Sequence, residues 1–174
     1  MRGLRSVTMW LAAVGVLPCV SVPSSAHAAD EWGGLNGTFT ATSNGEWART
    51  NDVFHDEKSV RSNWAIATQC SYPPTECTGT VTSDAGWSAP IYQTGGMWYV
   101  KRTVDNWEPC PPDGTSADGL QVFWFQPMTP GGDAGDPDST TLLGEDQTTG
   151  PSGGACGRSL ALFVNMPFKL VKQH

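Results

Sequence analysis

Residues 59–70 read SVRSNWAIATQC, and every second side chain from Val60 (Ser62, Trp64, Ile66, Thr68) is set apart from Arg61, Asn63, Ala65, Ala67 and Gln69. A period of two places the first set on one face of an extended strand and the second on the other. The habit recurs along the chain. Thr38-Phe39-Thr40-Ala41-Thr42 is β-favouring, as is the pair Val53-Phe54, and residues 77–83 form a short run, CTGTVTS. Trp87 to Gln93 follows, with Pro90 suiting an edge. Met97 to Val104 alternates again, and Leu120 to Gln126, LQVFWFQ, is the most apolar run. Leu160 to Val164 and Phe168 to Val171 close the series. Asn44-Gly45 and Thr94-Gly95-Gly96 supply turn chemistry between runs. Residues 105–119, 131–141 and 144–157 read as loops. No stretch sustains a helical period with caps. The pattern predicts an all-β fold: roughly eight short strands in a single antiparallel barrel or sandwich, connected up and down.

The first 28 residues read differently. Arg2 and Arg5 precede an apolar run from Met9 to Val20, and Ala26-His27-Ala28 ends in small residues. That order is a secretory signal peptide, with cleavage expected between Ala28 and Ala29. The run is too short to span a bilayer, and none of its length follows, so no membrane span is expected in the mature chain. Pro18 before Cys19 argues against a lipoprotein signal. The expected division is a leader, 1–28, and a secreted all-β domain, 29–174.

The whole chain has 174 residues, suiting one domain, with 10 Lys+Arg against 17 Asp+Glu and a net charge of −7. Losing Arg2 and Arg5 with the leader makes the rest more acidic still. Nucleic-acid binding needs a basic footprint to neutralise phosphates, and this composition excludes it. In an exported chain the four cysteines beyond the leader, Cys70, Cys77, Cys110 and Cys156, imply disulfides. No C-x-x-C pair favours a metal. Three connectivities exist. Cys70 and Cys77 flank the turn-rich Ser71-Tyr72-Pro73-Pro74-Thr75-Glu76 between two β-like runs. That predicts Cys70–Cys77 across a hairpin, and Cys110–Cys156 by elimination.

Several fragments resemble catalytic signatures without their context. Gly150-Pro151-Ser152-Gly153-Gly154 matches a hydrolase elbow, but no acid follows Ser152 and His174 is the one later histidine. His55 lies in an acidic stretch, Asp52-Val53-Phe54-His55-Asp56-Glu57. Asp105 and Glu108 flank Trp107, as paired carboxylates flank sugars in glycosidases. Asp133, Asp136 and Asp138 offer oxygens of the kind calcium takes, without the EF-hand pattern. No catalytic residue, cofactor or metal is expected. Trp64, Trp98 and Trp124 are the candidate ligand-binding residues: sharing one inner face, they either fill a barrel or line a cavity in it. The acidic charge repels anions. The expected partner is one mostly apolar, neutral or cationic small molecule, or an envelope protein. The alternatives are a secreted hydrolase using paired carboxylates and a structural, antigen-like envelope protein.

A larger set of residues carries a resemblance. It runs through Gly37-Thr38-Phe39, Trp64, Cys70, Cys77-x-Gly79-x-Val81, Ser88-Ala89-Pro90-Ile91-Tyr92 and Trp98. Cys110, Asp113-Gly114, Gln121, Phe125, Pro127, Cys156 and Pro167 follow. The order resembles a group of small exported actinobacterial proteins, best known from mycobacteria. Related modules form extracellular parts of some membrane-bound kinases. The resemblance implies export to the extracellular space or cell envelope, two disulfides and an all-β fold, and no catalytic residues. The segment 131–154 is longer than in the group.

Overall fold

The computed structural model describes residues 34–71, 76–110, 114–129, 131–133, 135, 139–151, 155–157 and 160–174. The leader, with Ala28 and Ala29, lies outside them. Ten strands follow in chain order: β1 (Gly37–Ser43), β2 (Arg49–Thr50), β3 (Val53–Phe54), β4 (Val60–Ser71), β5 (Glu76–Ser83), β6 (Trp87–Thr94), β7 (Met97–Cys110), β8 (Thr115–Pro127), β9 (Thr141–Thr149) and β10 (Phe163–Lys172). All pairings are antiparallel, and β10 also pairs with β1. The ring β1-β4-β5-β6-β7-β8-β9-β10 is thus a closed eight-stranded, up-and-down barrel. Closure removes the free edges that an open sheet would expose.

The β2–β3 ribbon hangs from β10 outside the ring. Its turn, Asn51-Asp52, has both residues at positive φ, as a type I′ turn requires. Asn44-Gly45, expected to turn a hairpin, instead opens a short 3-10 turn over Gly45–Trp47, where the Asn44 side chain accepts from the Glu46 N–H. Gly45 is buried, and a Cβ there would overlap the Glu57 carbonyl, so the glycine serves close packing.

The period of two sorts the interior. Phe39, Ala41, Trp64, Ile66, Val81, Ala89, Ile91, Trp98, Val100, Phe123, Phe125, Leu142, Phe168 and Leu170 form the buried core. Register makes them neighbours: Phe39 faces Trp64, Ala41 faces Leu170, and Trp98 faces Phe125. Trp64 is the hub, its ring centroid 4.9 Å from Phe123, 5.3 Å from Trp87 and 5.3 Å from Phe168. Its indole N–H donates to Ser62 Oγ at 3.0 Å.

Both disulfides form as expected, Cys70–Cys77 and Cys110–Cys156. Cys70 and Cys77 face each other in the β4–β5 register, so the first crosses that hairpin. The second joins the last residue of β7 to the turn Ala155–Gly157 between β9 and β10.

Three expectations about boundaries need correction. Residues 105–119 are mostly strand, because β7 and β8 run on beyond Val104 and before Leu120. Residues 144–149, expected as loop, belong to β9. The last strand starts at Phe163, not Leu160, and continues through Pro167.

Candidate functional site

The packed core fills only part of the lumen. Toward the end of the barrel where β4 begins and β1 ends, the interior opens into a cup of about 730 Å³. Its walls form layers along the barrel axis. Trp64, Phe123 and Phe168 form an aromatic floor over the packed half. Above them come Ser43, Ser62, Arg102, Gln121 and Asp146, a polar belt, and then Val60, Val104, Trp107, Leu162 and Val164 toward the mouth.

The belt follows from register. Arg102 on β7 faces Gln121 on β8, and Phe123 faces Asp146 on β9. Arg102 Nε donates to Gln121 Oε1 at 2.7 Å, and Gln121 Nε2 donates to Asp146 Oδ1 at 2.7 Å. From β1, Ser43 Oγ donates to Asp146 Oδ2 at 2.6 Å. The guanidinium carbon of Arg102 lies 4.7 Å from the Trp87 ring centroid, a cation–π contact that holds the fork in place. The terminal amino groups of Arg102 make no hydrogen bond to any described residue, and Arg102 borders the cup.

Asp146 is only 2% exposed. Burial pushes its carboxyl above the ordinary value, opposed by the bonds from Ser43 and Gln121 and by the Arg102 charge. Burial lowers the Arg102 guanidinium, while Asp146 and Asp105 favour its charged form. It stays a cation at neutral pH, since arginine does not lose its proton in proteins. Glu57, Lys58 and Asp105 complete the ionisable lining. Three carboxyl groups, on Glu57, Asp105 and Asp146, thus share the lining with two cations, Lys58 and Arg102.

Trp107 reaches the cup through an irregularity. Val104 pairs with Gly119 and Glu108 with Ala117, so four residues of β7 span two of β8. This bulge puts Asn106 at φ 53°, held by Asp118 Oδ1 accepting from its N–H and by Ser116 Oγ donating to its side chain. Bulges re-aim side chains. Here the Trp107 ring comes to lie against Gly119, where a Cβ would stand 2.9 Å from two ring atoms.

The three tryptophans expected to act together divide. Trp64 is in the floor of the cup. Trp98 is buried in the packed half and faces Phe125. Trp124 faces outward: it alternates with the core residues Phe123 and Phe125 and pairs with Tyr99. The assumption of one shared inner face fails there, because an almost wholly apolar strand does not announce which parity is inside. Trp87 and Trp107 border the cup instead.

The other fragments are dispersed. Exposed Asp105 borders the cup, whereas Glu108 is buried against Gly150 beyond the bulge. His55 is exposed and pairs locally with Glu57 at 3.2 Å. Asp133 is exposed, and Asp136, Asp138 and Ser152 lie outside the described residues. Among the described residues no three His, Cys, Asp or Glu side chains are grouped to hold a metal. No described helix is long and apolar enough to cross a membrane.

Asp146 was missed because β9 reads as loop. Its inward positions are Leu142, Gly144, Asp146 and Thr148, only one of them apolar. The signal available in the sequence was the spacing of Asp146 and Thr148 two apart within Thr141–Thr149, beside the better-marked Gln121 of LQVFWFQ.

Eight-stranded antiparallel barrels either fill with side chains or leave room for one small ligand, and this one is packed over one part of its lumen and open over the other. No protein-family model matches the chain, and no curated protein matches it either. Among solved structures, the monomer form of the M. tuberculosis PknI sensor domain is similar, with a TM-score of 0.56 and 18% identity, over 80% of this chain and 87% of that one. At that identity the likeness shows the fold. It gives the resemblance read from the sequence a structural counterpart in a mycobacterial sensor domain.

Proposed function

We propose that this chain is an exported, non-enzymatic binding module of the cell envelope or extracellular space, taking one small molecule into the cup. The observation that carries the reading is the cup itself: a concave site of about 730 Å³ bordered by apolar side chains, by Trp87 and Trp107, and by a few polar and charged groups. Similarity to a sensor domain supports recognition over catalysis. Two disulfides suit an oxidising compartment. The excess of acids, in the chain and in the cup, favours a neutral or cationic ligand with apolar surface. Trp64, buried among its aromatic neighbours, closes the cup beneath that ligand. The leader, residues 1–28, directs export and is removed between Ala28 and Ala29.

Native mass spectrometry of protein recovered from culture filtrate tests the reading. The expected mass starts at Ala29 and carries a bound small molecule. A start at a lipidated Cys19 overturns the soluble assignment. A protein whose cup takes nothing from a broad panel of neutral and cationic compounds, by tryptophan quenching and thermal shift, overturns the binding reading.

A second reading rests on a separate surface. Val53 and Phe54 on the β2–β3 ribbon and Trp47 in the 3-10 turn before it are exposed, with Trp47 and Phe54 edge to face at 6.3 Å. An envelope protein meeting this patch would make the chain a surface-recognition module. Loss of partner capture in Phe54→Ser, with ligand binding unchanged, would support it.

A further inference from the structure

We propose that the cup takes a neutral, mostly apolar molecule head first, its polar end an ester or tertiary amide carbonyl held by Arg102. The inference rests on the binding-module reading and names its ligand class. It comes from matching the donors and acceptors of the belt one by one. Arg102 Nε donates to Gln121 Oε1, and Gln121 Nε2 donates to Asp146 Oδ1. Ser43 Oγ donates to Asp146 Oδ2, and the Trp64 indole N–H donates to Ser62 Oγ. Both Asp146 oxygens, Gln121 Oε1 and Ser62 Oγ thus each accept a bond from within the belt. What is left over among the described residues is donors: the terminal amino groups of Arg102, the second Nε2 hydrogen of Gln121 and the Ser62 hydroxyl hydrogen. Arg102, Gln121 and Ser62 are half-buried and border the cup, so these donors are within a ligand's reach. Asp146, 2% exposed, serves its neighbours instead.

A molecule that displaces water from these donors must return acceptors, because a desolvated N–H or O–H without a partner costs free energy. The layer above asks for the opposite chemistry. Val104, Trp107, Leu162 and Val164 are half-buried and Val60 is exposed around the mouth. A carbonyl at the inner end of an apolar body answers both layers. Entering tail first, the same molecule would lay hydrocarbon on unanswered donors. The charge of the head group follows. An alkylammonium brings donors to donors. A carboxylate brings acceptors, but three carboxyl groups already share the lining, and Asp146 and Asp105 already favour the charged form of Arg102. A neutral carbonyl offers its lone pairs to the guanidinium and adds no charge. The Gln121 bond and the Trp87 ring fix Arg102 beforehand, so little order is lost on binding.

The test titrates the purified protein with four compounds of one chain length: methyl octanoate, N,N-dimethyloctanamide, octanoate and octylammonium. Tryptophan fluorescence and calorimetry are the readouts. The ester or the amide should bind at least about tenfold tighter than octanoate and octylammonium. Arg102→Met keeps the reach of the side chain and removes its donors. Its affinity for that compound should fall at least about tenfold, with circular dichroism confirming the fold. Trp47→Ala, outside the barrel, should bind as the parent does. The comparison among ligands needs the parent protein alone, so it decides the matter even where Arg102→Met does not fold. Tightest binding of octylammonium overturns the donor argument, and tightest binding of octanoate overturns the neutral head group; both leave the binding module standing. Equal binding of all four overturns selection by the belt. Undiminished binding to folded Arg102→Met overturns the role of Arg102. No response to the four, with a binder found in the broader panel of neutral and cationic compounds, overturns this ligand class alone; no response in either overturns the binding reading as well.

Discussion

Trp64→Ala removes the hub of the interior. The side chain is 1% exposed and has aromatic neighbours in β6, β8 and β10: Trp87, Phe123, Phe125 and Phe168. Truncating a buried Trp to Ala costs about 3–5 kcal/mol through lost transfer energy and the cavity left behind. The closed hydrogen-bonded wall resists collapse into that cavity, which places the loss in the upper half of the range. The Ser62 hydroxyl also loses its donor partner, at 3.0 Å in the parent. Urea unfolding followed by far-UV circular dichroism measures the change. For a chain of this size the midpoint of thermal unfolding should fall by roughly 10–20 °C. Trp64→Phe keeps a ring against the same neighbours and should lose roughly half as much. A loss below about 1.5 kcal/mol for Trp64→Ala, or equal losses for both variants, would refute the claim that this residue organises the interior.

Other expectations follow from single features. Asp146 has a folded-state pKa above its ordinary 3.8; the folded chain therefore holds that proton more tightly than the unfolded one. Its contribution to stability is greatest below the unfolded value and declines as pH rises through the folded one. Asp146→Asn should accordingly gain stability relative to the parent as pH rises from about 3.8 in urea titrations; parallel curves would count against the burial argument. Gly119→Ala sets a Cβ against the Trp107 ring and should cost about 1–3 kcal/mol while shifting tryptophan emission. An unchanged spectrum and stability would mean that the ring moves aside freely. Replacing Cys110 and Cys156 by Ser should cost about 4 kcal/mol, against about 2.5 kcal/mol for Cys70 and Cys77, because the longer loop gains more chain entropy when opened. The reverse order in denaturant titrations would show that residual structure in the unfolded chain dominates.

The barrel was legible wherever one face of a strand is buried in apolar contacts. Val60–Ser71 alternates so cleanly that its inward face follows from sequence, and Trp64, Ile66 and Thr68 are buried as its parity requires. Cys70 opposite Cys77 was legible because a turn-rich insert, Ser71 to Glu76, separates two β-like runs. The site was harder to read because a hydrated interior erases the contrast that marks a strand. Along β9 the inward residues beside the cup are Asp146 and Thr148, so the apolar alternation dissolves there. The bulge at Asp105–Trp107 hid Trp107 in a similar way, by breaking the alternation that counting relies on. Trp124 shows the converse limit, since a strand apolar on both faces gives no parity at all.

The solid half of the lumen closes one end of the barrel. A small molecule taken up as proposed would enter and leave beside Trp107 through one opening, and could not be passed through the domain to a second compartment. Under that proposal a new guest arrives only after the old one departs, and occupancy would follow the concentration just outside the mouth.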